Sequence, residues 1–211
     1  MPASMILAVV GLLYALLAGG LALLRREGLS LRFAVETLIL TGIVVIAASL
    51  WGAACSPVVF LALLYVITMR VRLLVDMANT LARNGRHDAA AALYQFALRL
   101  WPDQTGQAIV HINQGVLALQ QGQLDTAIET LQQTLDASSV HGYLGLKQEC
   151  GCRFNLGVAY QRKGMETQAQ AEFTRVLDVW PTSLYARRAS TALQRLRKSA
   201  PPQEQEQTKP N

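Results

Sequence analysis

The chain has 211 residues, 52% of them hydrophobic and only 16% charged, with a formal net charge of +5. That length excludes two large domains but accommodates one compact domain plus an anchor. The charged share is below the ~25% usual for soluble domains, and the deficit is uneven, because residues 1–24 carry no charged side chain.

Residues 4–24 form an apolar run long enough to cross the ~30 Å hydrocarbon core as a helix. A cleaved secretory leader would need a positive segment ahead of that run, and none precedes Met5. A second apolar stretch, residues 33–69, is too long for one span. It fits two if the chain turns near Trp51, with Gly52 loosening the backbone and Pro57 opening a new helix. Three spans are therefore expected, at about 4–24, 33–53 and 57–72, within an anchor of residues 1–72. The third has the shortest purely apolar part and relies on snorkelling of Arg70 and Arg72.

Charge agrees with that count. Arg25, Arg26 and Arg32 follow the first span, and Arg70 and Arg72 follow the third. Placing both groups on the cytoplasmic side leaves the N-terminus outside and the C-terminal part inside. Glu36 lies one turn after Arg32 and is expected to pair with it rather than to hold an ion or proton. No helix breaker stands between Pro57 and Asn84, so the third span is expected to continue into the next helix without interruption.

Three later segments share one pattern. Asn84, Gly85, Arg86, His87, Asp88, Ala89 and Ala90 align with residues 121–127 (QGQLDTA) and 163–169 (KGMETQA). Each reads as a turn in which glycine ends one helix and alanine opens the packed face of the next. Phased on a 34-residue period, the copies span 71–104, 108–141 and 150–183. Ala78, Gly115 and Gly157 then share one small-residue slot, and Ala90, Ala127 and Ala169 the facing one. Tyr94, Leu131 and Phe173 share a large apolar slot. Pro102 and Pro181, each preceded by tryptophan, end the second helix of copies one and three, whereas copy two has Ser139 at that place.

This is the tetratricopeptide repeat (TPR) pattern. The expected fold is all-α: transmembrane helices, then a right-handed superhelical TPR helix-turn-helix array with a capping helix at 183–199. Residues 200–211 lack an apolar run and are expected to be a disordered tail.

No phosphate loop, nucleophile elbow or zinc-protease motif occurs, so no catalytic, cofactor or metal residues are assigned. His87, His111 and His141 are scattered. Cys150 and Cys152 are half a zinc site at most, and packing is the better account of them; Cys55 has no partner.

The remaining chemistry is binding. The first helix of each repeat lines the concave face of such arrays. The groove candidates are Asn79, Arg83, Ile112, Asn113, Val116, Gln120, Phe154, Asn155, Val158 and Arg162, an apolar floor with amide and arginine edges suited to a protein segment. Val75 and Gly151 stand where a carboxylate clamp would need lysine. A basic cap surface is read at Arg187, Arg188, Arg195, Arg197 and Lys198. It is a solvated face, or one drawn to acidic protein or anionic lipid; without interleaved aromatics it does not suit nucleic acid. No small-molecule substrate is implied.

Residues 69–83 (MRVRLLVDMANTLAR) and 98–103 (LRLWPD), together with the anchor-plus-three-repeat plan, resemble the photosystem I assembly proteins of cyanobacteria and plastids. The resemblance implies a non-enzymatic factor in the thylakoid membrane, with its repeats on the cytoplasmic or stromal side, binding photosystem I subunits or intermediates. The other reading is a general bacterial inner-membrane scaffold for envelope or secretion machinery.

Overall fold

The computed structural model describes residues 3–24, 31–51 and 55–199. Arg25, Arg26, Gly52 and the expected tail at 200–211 lie outside them. Ten α-helices make up the described chain: α1 Ala3–Leu24, α2 Leu31–Trp51, α3 Pro57–Thr68, α4 Arg70–Arg83, α5 His87–Arg99, α6 Gln104–Gln120, α7 Leu124–His141, α8 Leu146–Arg162, α9 Glu166–Val179 and α10 Leu184–Ser199. They fall into two units, Met1–Asn113 with Tyr143–Gly145, and Gln114–Gly142 with Leu146–Asn211.

In the first unit, α1 packs on α2 and α3. Leu7, Tyr14, Phe60 and Leu64 are buried between them, with Val10, Phe33, Leu40 and Val44 packed alongside. The helices approach closely at Gly11, where a Cβ would stand 2.3 Å from Thr41 Oγ1. Small residues permit such approach between apolar helices. Polar groups in this packet are satisfied locally: Thr37 donates to Phe33 O and Thr41 to Thr37 O, each at 2.7 Å.

The outward faces carry leucine and isoleucine. Leu12, Leu16, Leu38, Ile39, Ile43 and Ile46 are all more than half exposed. Ser4–Leu21 and Arg32–Leu50 are long and apolar enough to cross a membrane, yet only 11% of each is buried within the protein. A helix apolar on every side and buried on one is suited to lipid on the others.

The expected unbroken helix from Pro57 to Asn84 does not form. It breaks at Met69 (φ −100°, ψ 9°), and α3 and α4 meet at a 71° bend. In an unbroken helix the Ile67 carbonyl would serve Val71 N–H; here it receives the Arg70 guanidinium at 2.7 Å. Arg70 also grips Glu36 through two bonds, at 2.9 and 3.0 Å, and Thr68 is held to Tyr14 at 2.7 Å. These contacts to α1 and α2 fix the end of α3 and turn the chain away. No single residue between 57 and 84 breaks helices by propensity; the bend is tertiary. α3 therefore has 12 residues, about 18 Å of rise.

Beyond the bend, Val75, Ala78 and Ala82 of α4 face Ala90, Tyr94 and Ala97 of α5, all buried. In the second unit, α8 packs on α7, α9 and α10, and α9 on α10. A Cβ on Gly157 would lie 2.7 Å from the Phe173 ring, and one on Gly115 2.7 Å from Leu131. Helix crossing at these points needs a residue without a side chain, and the large partner fills the space.

Three turns are built alike. Gly85, Gly122 and Gly164 take φ of 75°, 76° and 79°. The following N–H reaches back five residues, from Arg86 to Leu81 O, Gln123 to Ala118 O and Met165 to Tyr160 O, at 2.9 Å each. This is the Schellman closure of a helix end, which glycine accommodates without a Cβ penalty. α5 and α9 stop shortly before Pro102 and Pro181. α7, which lacks a proline there, runs on for 18 residues to Gly142 in the left-handed region. Ser183 caps α10, its hydroxyl accepting Ala186 N–H at 2.9 Å.

Candidate protein-binding surfaces

The groove candidates sit on α4, α6 and α8. In the first unit, Asn79 is half-buried and accepts a 2.6 Å hydrogen bond from Tyr94 OH, so its side chain already joins the two helices of its own pair. Burial raises the Tyr94 phenol to about 12, so it remains a donor to Asn79 at neutral pH. Arg83 is exposed, with Nε on Asn79 O at 3.3 Å. Ile112 is 9% exposed, and Asn113 donates to Ile109 O at 2.7 Å.

In the second unit, Gln120 is exposed and Val116 half-buried. Phe154 lies 5.8 Å from the Phe173 ring and 6.0 Å from that of Tyr185. Asn155 donates to Gly151 O at 2.8 Å, and Val158 packs on a cluster of Ala118, Leu119, Ala127 and Ala159. Arg162 is exposed and donates to Leu119 O at 3.1 Å. Arg83, Gln120 and Arg162 thus present exposed side chains, while Phe154 and Val158 also build the stack.

The basic cap candidates Arg187, Arg188, Arg195, Arg197 and Lys198 are all exposed on α10, which contains no acidic residue. Its opposite face buries Ala186, Ala189 and Leu196.

Two charged clusters connect helices in ways that sequence spacing reveals only in part. Glu36 pairs with Arg32, one turn away at 2.6 Å, and also with Arg70 at 2.9 Å. The first is an i,i+4 pair visible from spacing; the second joins residues 34 positions apart. Glu172 is 7% exposed and takes Arg175 at 2.6 Å and Arg153 at 3.3 Å, with Arg153 also on Glu149 at 2.9 Å. A glutamate on the buried side of α9 has no local signal in the sequence. A cleft of about 410 Å³ opens beside the first cluster, lined by Arg32, Glu36, Arg70, Arg72, Asp76 and Asp103 among apolar neighbours.

Cys150 and Cys152 are buried, and Cys152 Sγ contacts Leu131 O at 3.4 Å. Burial raises their thiols to about 11 and about 12. A neutral thiol is a poor nucleophile. A maleimide should therefore modify Cys55 in the folded, detergent-solubilised protein and reach Cys150 and Cys152 only after denaturation, with adducts counted by mass spectrometry. Rapid modification of either buried thiol in the folded state would contradict this packing. Because both thiols are raised above the unfolded value of 9.0, their contribution to stability is present below pH 9 and declines as pH climbs from there.

Residues 70–139 match a family model described as tetratricopeptide repeat, and residues 152–183 match a second model of the same description. No curated protein matches the chain. The regular structure of the described residues is thus all helix, with two N-terminal helices apolar enough to span a membrane and tetratricopeptide repeats in the later part of the chain. Repeats of this description suggest a protein-interaction scaffold.

Proposed function

We propose that the chain is a membrane-tethered TPR scaffold that acts by binding protein subunits of a membrane complex rather than by catalysis. The observation that carries this reading is the presence, in one chain, of span-length helices with lipid-suited outer faces and TPR helix pairs. Its organisation is an anchor of three spans, α3 being the short third, followed by repeats at 71–104, 108–141 and 150–183 and the cap at 183–199. The groove candidates of each unit bind protein, with the exposed Arg83 in the first and Gln120 and Arg162 in the second as polar contacts, and with the basic α10 face as a second surface for acidic protein. The N-terminus lies opposite the repeats, so Cys55, at the α2–α3 turn, faces outward. In sealed native membrane vesicles whose repeats are open to protease, a membrane-impermeant maleimide should reach Cys55 only after the vesicles are opened; labelling before opening would overturn this topology.

Photosystem I is the client supported by the resemblance of residues 69–83 and 98–103, and the thylakoid is the corresponding membrane. Affinity purification from gently solubilised native membranes, followed by mass spectrometry, tests the client. Enrichment of photosystem I subunits over those of photosystem II is the expected result. Enrichment of envelope or secretion proteins, with photosystem I at background, would leave a general inner-membrane scaffold.

A further inference from the structure

Trp101 lies between α5 and α6 and is 82% exposed. Among the described large apolar residues, only six exceed 60% exposure: Leu16, Leu17, Leu24, Leu50, Val58 and Trp101. The first five belong to α1, α2 and α3. Trp101 alone lies beyond the apolar packet, yet it shares the exposure of the residues suited to lipid.

Its backbone is tied to that packet. The Arg32 guanidinium donates to the Trp101 carbonyl, and Arg32 opens the span-length segment Arg32–Leu50. The Trp101 backbone is therefore within one arginine side chain of the end of a span. The position is also fixed. Trp101 holds φ at 46°, the only non-glycine positive φ among the described residues. A bulky residue adopts that conformation only where its surroundings impose it, and here Arg32 holds the carbonyl while the buried Pro102 follows directly. Tryptophan is enriched at membrane–water boundaries because its ring is apolar and its N–H needs a polar partner.

We infer that Trp101 is an interfacial anchor, its indole seated among the lipid headgroups beside Arg32, so that the first repeat is held to the bilayer surface at a point separate from the spans. The inference rests on the membrane-tethered reading, and its test separates the two. Two single-tryptophan proteins are reconstituted in phosphatidylcholine vesicles: one retains Trp101 (Trp51→Phe with Trp180→Phe), the other retains Trp51, the last residue of α2 (Trp101→Phe with Trp180→Phe). The vesicles contain lipid brominated either near the glycerol backbone or near the chain ends. Trp101 fluorescence should be quenched by the shallow bromines and much less by the deep ones. Quenching of Trp51 but not of Trp101 would overturn the inference and leave the tether standing. Absence of quenching for both would remove the tether as well. Shielding of Trp101 from bromolipid and from aqueous iodide alike would mean that protein covers it, which also overturns the inference. If a double variant loses helicity, the difference between the parent and Trp101→Phe supplies the same readout.

Discussion

Phe173→Ala should destabilise the repeat helices by about 3–5 kcal/mol, the range for removing a fully buried phenylalanine ring. The ring is fully buried, touches the backbone of α8 at Gly157 and stacks at a tilt on Phe154. A helix crossing built on a side chain facing a glycine has no other atoms with which to fill the void. The neighbours are themselves held, since Phe154 also packs on Tyr185 of α10, so collapse into the cavity is limited. Urea unfolding followed by far-ultraviolet circular dichroism measures the loss. A shift smaller than about 1 kcal/mol would mean that the ring is not the keystone of this packing.

The second large effect belongs to the N-terminal apolar packet. Gly11→Leu should separate α1 from α2, at a cost of about 3 kcal/mol or more, the upper range for overpacking. Even a bare Cβ at Gly11 would overlap Thr41 at three atoms, 2.3, 2.4 and 2.9 Å away. Thr41 is 7% exposed and its hydroxyl is committed to Thr37 O, so any retreat breaks that bond inside a packed site. Cysteine crosslinking between α1 and α2, introduced into the parent and the variant, reports the separation. Equal crosslinking in both would show that the helices do not meet at Gly11. Gly20, with nothing within 4 Å of its added Cβ, supplies the matched control.

Much of this architecture was legible because it is periodic. The small slot at Gly115 and Gly157 and the large slot at Leu131 and Phe173 could each be found by phasing three copies, but phasing set the alanine slot opposite the glycines, whereas the structure sets each glycine against Leu131 or Phe173. The turns at Gly85, Gly122 and Gly164 were legible for a chemical reason, since a positive φ selects glycine. What could not be read was long-range. Propensity favours helix across Met69, and the bend comes from Arg70 reaching Glu36, a residue distant in sequence. Trp101 was visible as part of a Trp-Pro pair, but its strained backbone and its bond to Arg32 exist only in the folded chain. The groove candidates show a subtler limit. Slot alignment identifies the face of a helix, whereas neighbours decide how much of Phe154 or Val158 is left for a partner. Glu172 illustrates the same limit for charge, because burial and two arginine partners made it structural.

The way the N-terminal packet uses its polar groups bears on what the proposed anchor would cost a cell. Glu36 is held by two arginines, the Thr37 and Thr41 hydroxyls are turned onto their own helix, and the Tyr14 and Thr68 hydroxyls bind each other. A proton wire or ion path needs groups that can exchange partners across the hydrocarbon layer. These are committed in place, and α1 and α2 approach closely at Gly11. On the proposed membrane-tethered reading, and among the described residues, the packet is in electrical terms closer to an insulator than to a conductor: its polar groups are held for fastening rather than for passing charge.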